Sequence, residues 1–76
     1  MTFGKNLQRL REDCGLSQSG LAEKADVPVK SVQNWEADRN RPRMETLVSL
    51  AAALGVSLET LLATGDAPAK KPRKGK

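Results

Sequence analysis

Apolar residues recur along this chain at the 3.6-residue spacing of helices buried on one side, and the phase of that recurrence breaks at Gly15, Asp26, the Arg-rich segment around Pro42, and Gly55. Phe3, Leu7, Leu10 and Cys14 make the first stripe, in FGKNLQRLREDC, with Thr2 placed to cap its first turn and Gly15 to stop it in a left-handed C-cap. Leu16 anchors the entry to a second helix, for which Ser17 is the N-cap. The stretch from Gln18 to Ala37, QSGLAEKADVPVKSVQNWEA, then carries Leu21, Ala22, Ala25, Val27, Val32 and Trp35, with a change of phase at Asp26. A fourth helix, about Glu45 to Leu54, turns Leu47, Leu50, Ala51 and Leu54 inward and ends at Gly55. Ser57 caps a short fifth helix with Leu58, Leu61 and Leu62, closed by Gly65. The predicted class is all-α, five helices within residues 1–65.

The break at Asp26 sets the architecture. Pro28 has no amide hydrogen and holds φ near about −65°, so it suits a helix start and would disrupt an interior. Asp tolerates a left-handed turn residue. One helix therefore ends near Ala25 and the next runs from Pro28 to about Ala37. So short a turn makes the pair cross steeply, as in a helix-turn-helix.

Seventy-six residues make a single domain, with no room for a separate ligand-sensing unit. The chain has no His, no Tyr and one Cys, which excludes a multi-thiolate metal site and offers no obvious nucleophile–base pair. No enzyme activity, metal or cofactor is expected. Cys14, at the end of the first stripe, reads as a small hydrophobe, with redox sensing as the alternative. No apolar run approaches the ~20 residues of a membrane span and no signal-peptide pattern opens the chain, so a cytoplasmic protein is expected.

Charge is informative only by position. The net charge is +4, yet five of the 13 Lys and Arg lie in the last seven residues, leaving eight against nine acidic groups. A nucleic-acid surface must then be local. Asp38 to Arg43, DRNRPR, is a loop by its polarity and its proline, and its three arginines form such a patch just after the third helix. Residues 66–76, DAPAKKPRKGK, are too poor in apolar groups to repay ordering and are expected to be a disordered basic tail, either adding non-specific DNA affinity or inert.

Val32 and Trp35 face inward at i and i+3, so Val29, Lys30, Gln33 and Asn34 lie on or flank the outer face of the third helix. Gln and Asn can pair with adenine, Lys with guanine acceptors and Val with the thymine methyl, which is the mixture a major-groove reader needs. Trp35 belongs with Val32 to the core face and is not a stacking platform. Gln18, on the exposed first turn of the second helix, could donate to a phosphate, buttress the third helix, reach a base or be an ordinary polar surface residue.

The small Ala22, the turn before Val27, Val32 and the pair Trp35-Glu36 resemble the Cro/phage-repressor (Xre-type) helix-turn-helix family. Leu16-Ser17-Gln18, Arg41-Pro42-Arg43 with Thr46-Leu47, and Ala52 to Ser57 agree with it, and the likeness runs from Phe3 to Leu62. Two positions depart from that pattern: Asp26 stands where the turn usually has Gly, and Gly20 replaces a first-turn Glu. The resemblance implies a compact five-helix lambda-repressor-like DNA-binding domain. It implies an Arg11–Glu36 ion pair, with a solvated Arg11 as the alternative. It implies base contacts from Gln18, Val29, Lys30, Gln33 and Asn34, and phosphate contacts from Ser31, Arg39, Asn40, Arg41 and Arg43. It also implies a homodimer, at least on DNA, through Leu58, Leu61 and Leu62, with closure of a monomer core by all three as the alternative. The function expected is sequence-specific recognition of double-stranded DNA by a transcriptional regulator, most simply a repressor on a palindromic operator and nucleoid-associated when bound. The alternative is an antitoxin or bridging protein whose main task is to hold a protein partner.

Overall fold

The computed structural model describes residues 2–63, which form five helices in the expected order: α1 Phe3–Asp13, α2 Gln18–Ala25, α3 Val29–Glu36, α4 Met44–Leu54 and α5 Leu58–Leu62. Each boundary has a local cause. The Thr2 hydroxyl accepts from Lys5 N–H, Ser17 Oγ from Gly20 N–H and Ser57 Oγ from Thr60 N–H, so three helices begin on side-chain caps. Gly55 ends α4 at φ 70°, and Asp26 ends α2 at φ 60°, without the glycine usual at such a position. Pro28 precedes α3 instead of forming its first turn, because its ψ of 143° is extended.

One residue from each helix is wholly buried: Leu7, Leu21, Val32, Leu50 and Leu61. Burial of each is worth about 1.5–3 kcal/mol against leaving it exposed, so the core ties all five helices together. Helix α1 packs on α3 and α5, α2 on α3 and α4, and α4 on α5. Thus α3 is held by both α2 and α1.

Two expectations need correction. Cys14 is exposed and is no part of the core, because α1 stops at Asp13 and Cys14 becomes its C-cap; its thiol donates to the Leu54 carbonyl at 3.3 Å. Leu61 is 0% exposed and has no surface to offer a second chain; Leu58 and Leu62 keep part of theirs. The expected tail and the stop at Gly65 lie outside the described residues.

Candidate nucleic-acid interface

The C-terminal end of α3 is fixed by a network of charge. Arg11 Nε donates to Glu36 Oε2 at 2.6 Å and Nη2 to Oε1 at 3.3 Å, while Nη1 donates to the Leu16 carbonyl at 2.7 Å. Gln18 Nε2 adds a bond to Glu36 Oε1 at 3.0 Å. The Arg11 and Glu36 side chains are only 10% and 6% exposed, so this forked pair works largely without water. Of the roles open to Gln18, the geometry shows the buttress, a bond that joins the start of α2 to the end of α3.

Close approach of α1 makes this possible. A Cβ added to Gly4 would lie 2.7 Å from the Trp35 carbonyl oxygen and closer still to that of Glu36. Glycine here lets two backbones meet. Asn6, also in α1, is 1% exposed, and its Nδ2 donates to the carbonyls of Thr60 and Leu61, both at 2.9 Å, while Oδ1 accepts from Arg9. Neither residue was identified from the sequence. Asn6 did leave a signal, since positions 3, 6, 7 and 10 form one apolar face and Asn6 is its one polar member.

With Val32 and Trp35 buried, α3 presents its other face outward. Val29 is 38% exposed, Lys30 and Gln33 are exposed, and Ser31 and Asn34 are half-buried. The structure thus gathers the expected base-contacting residues of α3 on one surface. Gln18 is set apart from them by its bond to Glu36.

The α3–α4 loop continues this surface. Arg39, Asn40, Arg41 and Arg43 are all exposed, and Pro42 between them is buried. Arg39 returns to α3: its N–H donates to the Asn34 carbonyl at 3.0 Å and its Nη1 to Asn34 Oδ1 at 3.4 Å. Arg41 holds its guanidinium 5.2 Å from the centre of the Phe3 ring, within cation–π range. Arg43 precedes α4 and caps nothing with its side chain.

Asp38 opens this loop, and nothing in its local sequence marks a role for it. It has φ 60°, and its Oδ1 accepts from Gly4 N–H at 2.9 Å. Hydrogen bonds from the Thr2 hydroxyl and the Gly4 amide, with Arg41 and Lys5 nearby, hold its carboxyl below the ordinary aspartate value. Among the described residues, no group of three or more His, Cys, Asp and Glu gathers to hold a metal, and no helix is long and apolar enough to cross a membrane.

Four likenesses bear on this surface. A family model described as helix-turn-helix matches residues 7–61. Over 62 residues the chain is 34% identical to the immunity repressor protein of Bacillus phage phi105, covering 82% of this chain and 43% of that protein. The P22 c2 repressor protein, solved in complex with a synthetic operator, is 26% identical with a TM-score of 0.77, over 82% of this chain and 94% of that one. SinR of Bacillus subtilis, a master regulator for biofilm formation solved in complex with DNA, is 33% identical with a TM-score of 0.75, over 78% of this chain and 95% of that one. The chain spans 43%, 30% and 55% of the length of three curated relatives it matches. These relatives are DNA-binding transcription regulators, not enzymes.

Proposed function

We propose, from the premise that this chain belongs to the helix-turn-helix family of Xre/Cro type, that it is a transcriptional regulator reading double-stranded DNA with α3 in the major groove. The observation that carries the reading is the division of α3 into two faces. Val32, Trp35 and the Glu36 network fix the helix, while Val29, Lys30, Gln33 and Asn34 stand on the open side with donors, acceptors and an apolar contact. That is the chemistry of base-edge recognition. Arg39, Asn40, Arg41 and Arg43 then lie along the phosphates beside the groove, with Ser31 among the backbone contacts, and set the register of α3.

Repression by occlusion of a promoter is the simplest output. Two copies would join through the α5 corner, where Leu58 and Leu62 keep exposed surface, and would read half-sites about one turn, ~34 Å, apart. Selection of bound sequences from a random duplex pool tests the reading. Enrichment of a two-fold symmetric motif is the expected result. Recovery of no motif would overturn sequence-specific reading, and a single asymmetric half-site would overturn the dimer.

A further inference from the structure

Asp38 takes a backbone conformation that L residues seldom adopt, φ 60°, where the chain leaves α3 for the arginine-bearing loop. Asp and Asn are among the few non-glycine residues that tolerate it. The side chain then reaches α1, where Oδ1 accepts from Gly4 N–H at 2.9 Å. Thr2 Oγ1 in turn accepts from Lys5 N–H at 3.2 Å. Thr2 and Asp38 between them satisfy two of the amides that the first turn of α1 leaves unpaired. A second fastening lies close by, where Arg41 covers the Phe3 ring. One side of the loop is therefore tied to α1, and Arg39, Asn40 and Arg43 remain exposed on it.

We infer that Asp38 is the positioning residue of the phosphate-binding loop: its left-handed backbone turns the chain out of α3, and its carboxylate ties that turn to the start of α1, so that Arg39 and Arg43 meet the DNA backbone in one arrangement. The inference rests on the DNA reading proposed above. A loop ordered before binding loses less freedom when it binds. Simple electrostatics argues the opposite, because a carboxylate within about 10 Å of phosphates at 0.1 M salt repels them and its removal should tighten binding. The two accounts therefore differ in sign.

Two substitutions separate them. Asp38→Gly keeps access to the left-handed conformation and loses the tether. Asp38→Asn keeps that conformation and the Oδ1 acceptor but loses the charge. Binding of the parent and both variants to a random-sequence duplex is measured over a salt series, at a temperature where circular dichroism shows all three folded. Asp38→Gly should bind about 3- to 10-fold more weakly, and Asp38→Asn as tightly as the parent or up to about 3-fold more tightly. Tighter binding by both variants would overturn the positioning role. In an Arg43→Ala background the penalty of Asp38→Gly should shrink, since the effect passes through the loop arginines; full additivity would overturn it. A readout free of DNA keeps the two readings apart. In nitrogen-15 relaxation, Asp38→Gly should raise nanosecond motion of the amides at positions 39, 40, 41 and 43 while α3 and α4 stay as in the parent, and Asp38→Asn should not. An unchanged loop in Asp38→Gly overturns the positioning role whatever the parent binds. A parent that binds no duplex overturns the DNA reading instead.

Discussion

Arg11 turns its donors inward, onto both oxygens of Glu36 and the Leu16 carbonyl, with its side chain 10% exposed, whereas Arg39, Arg41 and Arg43 stand in the open on the α3–α4 loop. The same guanidinium does different work at the two places. Taken out of water, Arg11 must be matched bond for bond, and a group so matched has nothing left to offer a phosphate. The loop arginines remain hydrated and keep donors free, so each adds little to stability and can add much to binding. Residues 2–63 contain eight Lys and Arg and eight Asp and Glu, so these residues supply no overall positive field to attract DNA. Separating structural from binding charge is how a neutral domain can still hold an anion.

Breaking the buried side should have the largest effect. Arg11→Ala leaves Glu36 shielded and unpaired, and should cost about 3–5 kcal/mol. In a domain of this size that is comparable to the whole net stability of about 3–5 kcal/mol. Urea titration followed by circular dichroism reads it. A loss below about 1 kcal/mol would class the pair with solvated surface pairs and erase the contrast.

The next effect concerns the open face of α3. Lys30→Ala and Asn34→Ala should each weaken binding to the selected operator by about 1–3 kcal/mol and binding to random DNA much less. Melting temperatures should barely move, since neither side chain is in the core. Variants that melt normally and keep the parent's sequence preference would show that α3 does not read bases.

The loop arginines sharpen the comparison further. Arg43→Ala should weaken operator and random DNA by similar factors and lower the salt slope by about one for the lost phosphate contact. Arg41 stands between the two classes, because its guanidinium already rests on Phe3. Arg41→Ala should therefore lower the melting temperature as well as the affinity, whereas Arg43→Ala should change the affinity alone. Equal melting temperatures for the two variants would show that the Phe3 contact adds nothing.

The smallest effect belongs to acid. The carboxyl of Asp38 is held below its ordinary value of 3.8 by the Thr2 and Gly4 hydrogen bonds and the nearby Arg41 and Lys5. A group with a depressed folded value stabilises the fold above its unfolded value, and that contribution is lost as pH falls through the folded value. Asp38→Asn should thus lower stability at neutral pH and narrow its difference from the parent below pH 3.8. A constant difference between neutral and acid pH would mean that the carboxylate charge plays no part.

Much of the fold was legible in the sequence because helix periods and stop signals are local. Gly15, Asp26 and Gly55 take the left-handed conformations expected of them, at φ 72°, 60° and 70°. Val32 and Trp35 are inside as their spacing requires. Cys14 was misplaced because spacing does not tell where a stripe leaves the core, and the helix ended one residue too early for its thiol to be buried. Leu61 was assigned to a partner for a similar reason, since an apolar side chain has the same signature against its own core or against another chain.

What the sequence by itself determined is therefore the helices, their caps and the outward face of α3, all set by residues within a few positions of one another. The tertiary structure alone decided which distant groups meet. Gly4 lets α1 touch the end of α3, Asn6 holds the carbonyls of Thr60 and Leu61, Gln18 completes the Glu36 carboxylate, and Asp38 ties the loop to α1 across 34 positions. Each depends on how two helices cross in space. That crossing is fixed by packing of the whole core, and no local pattern in the chain encodes it.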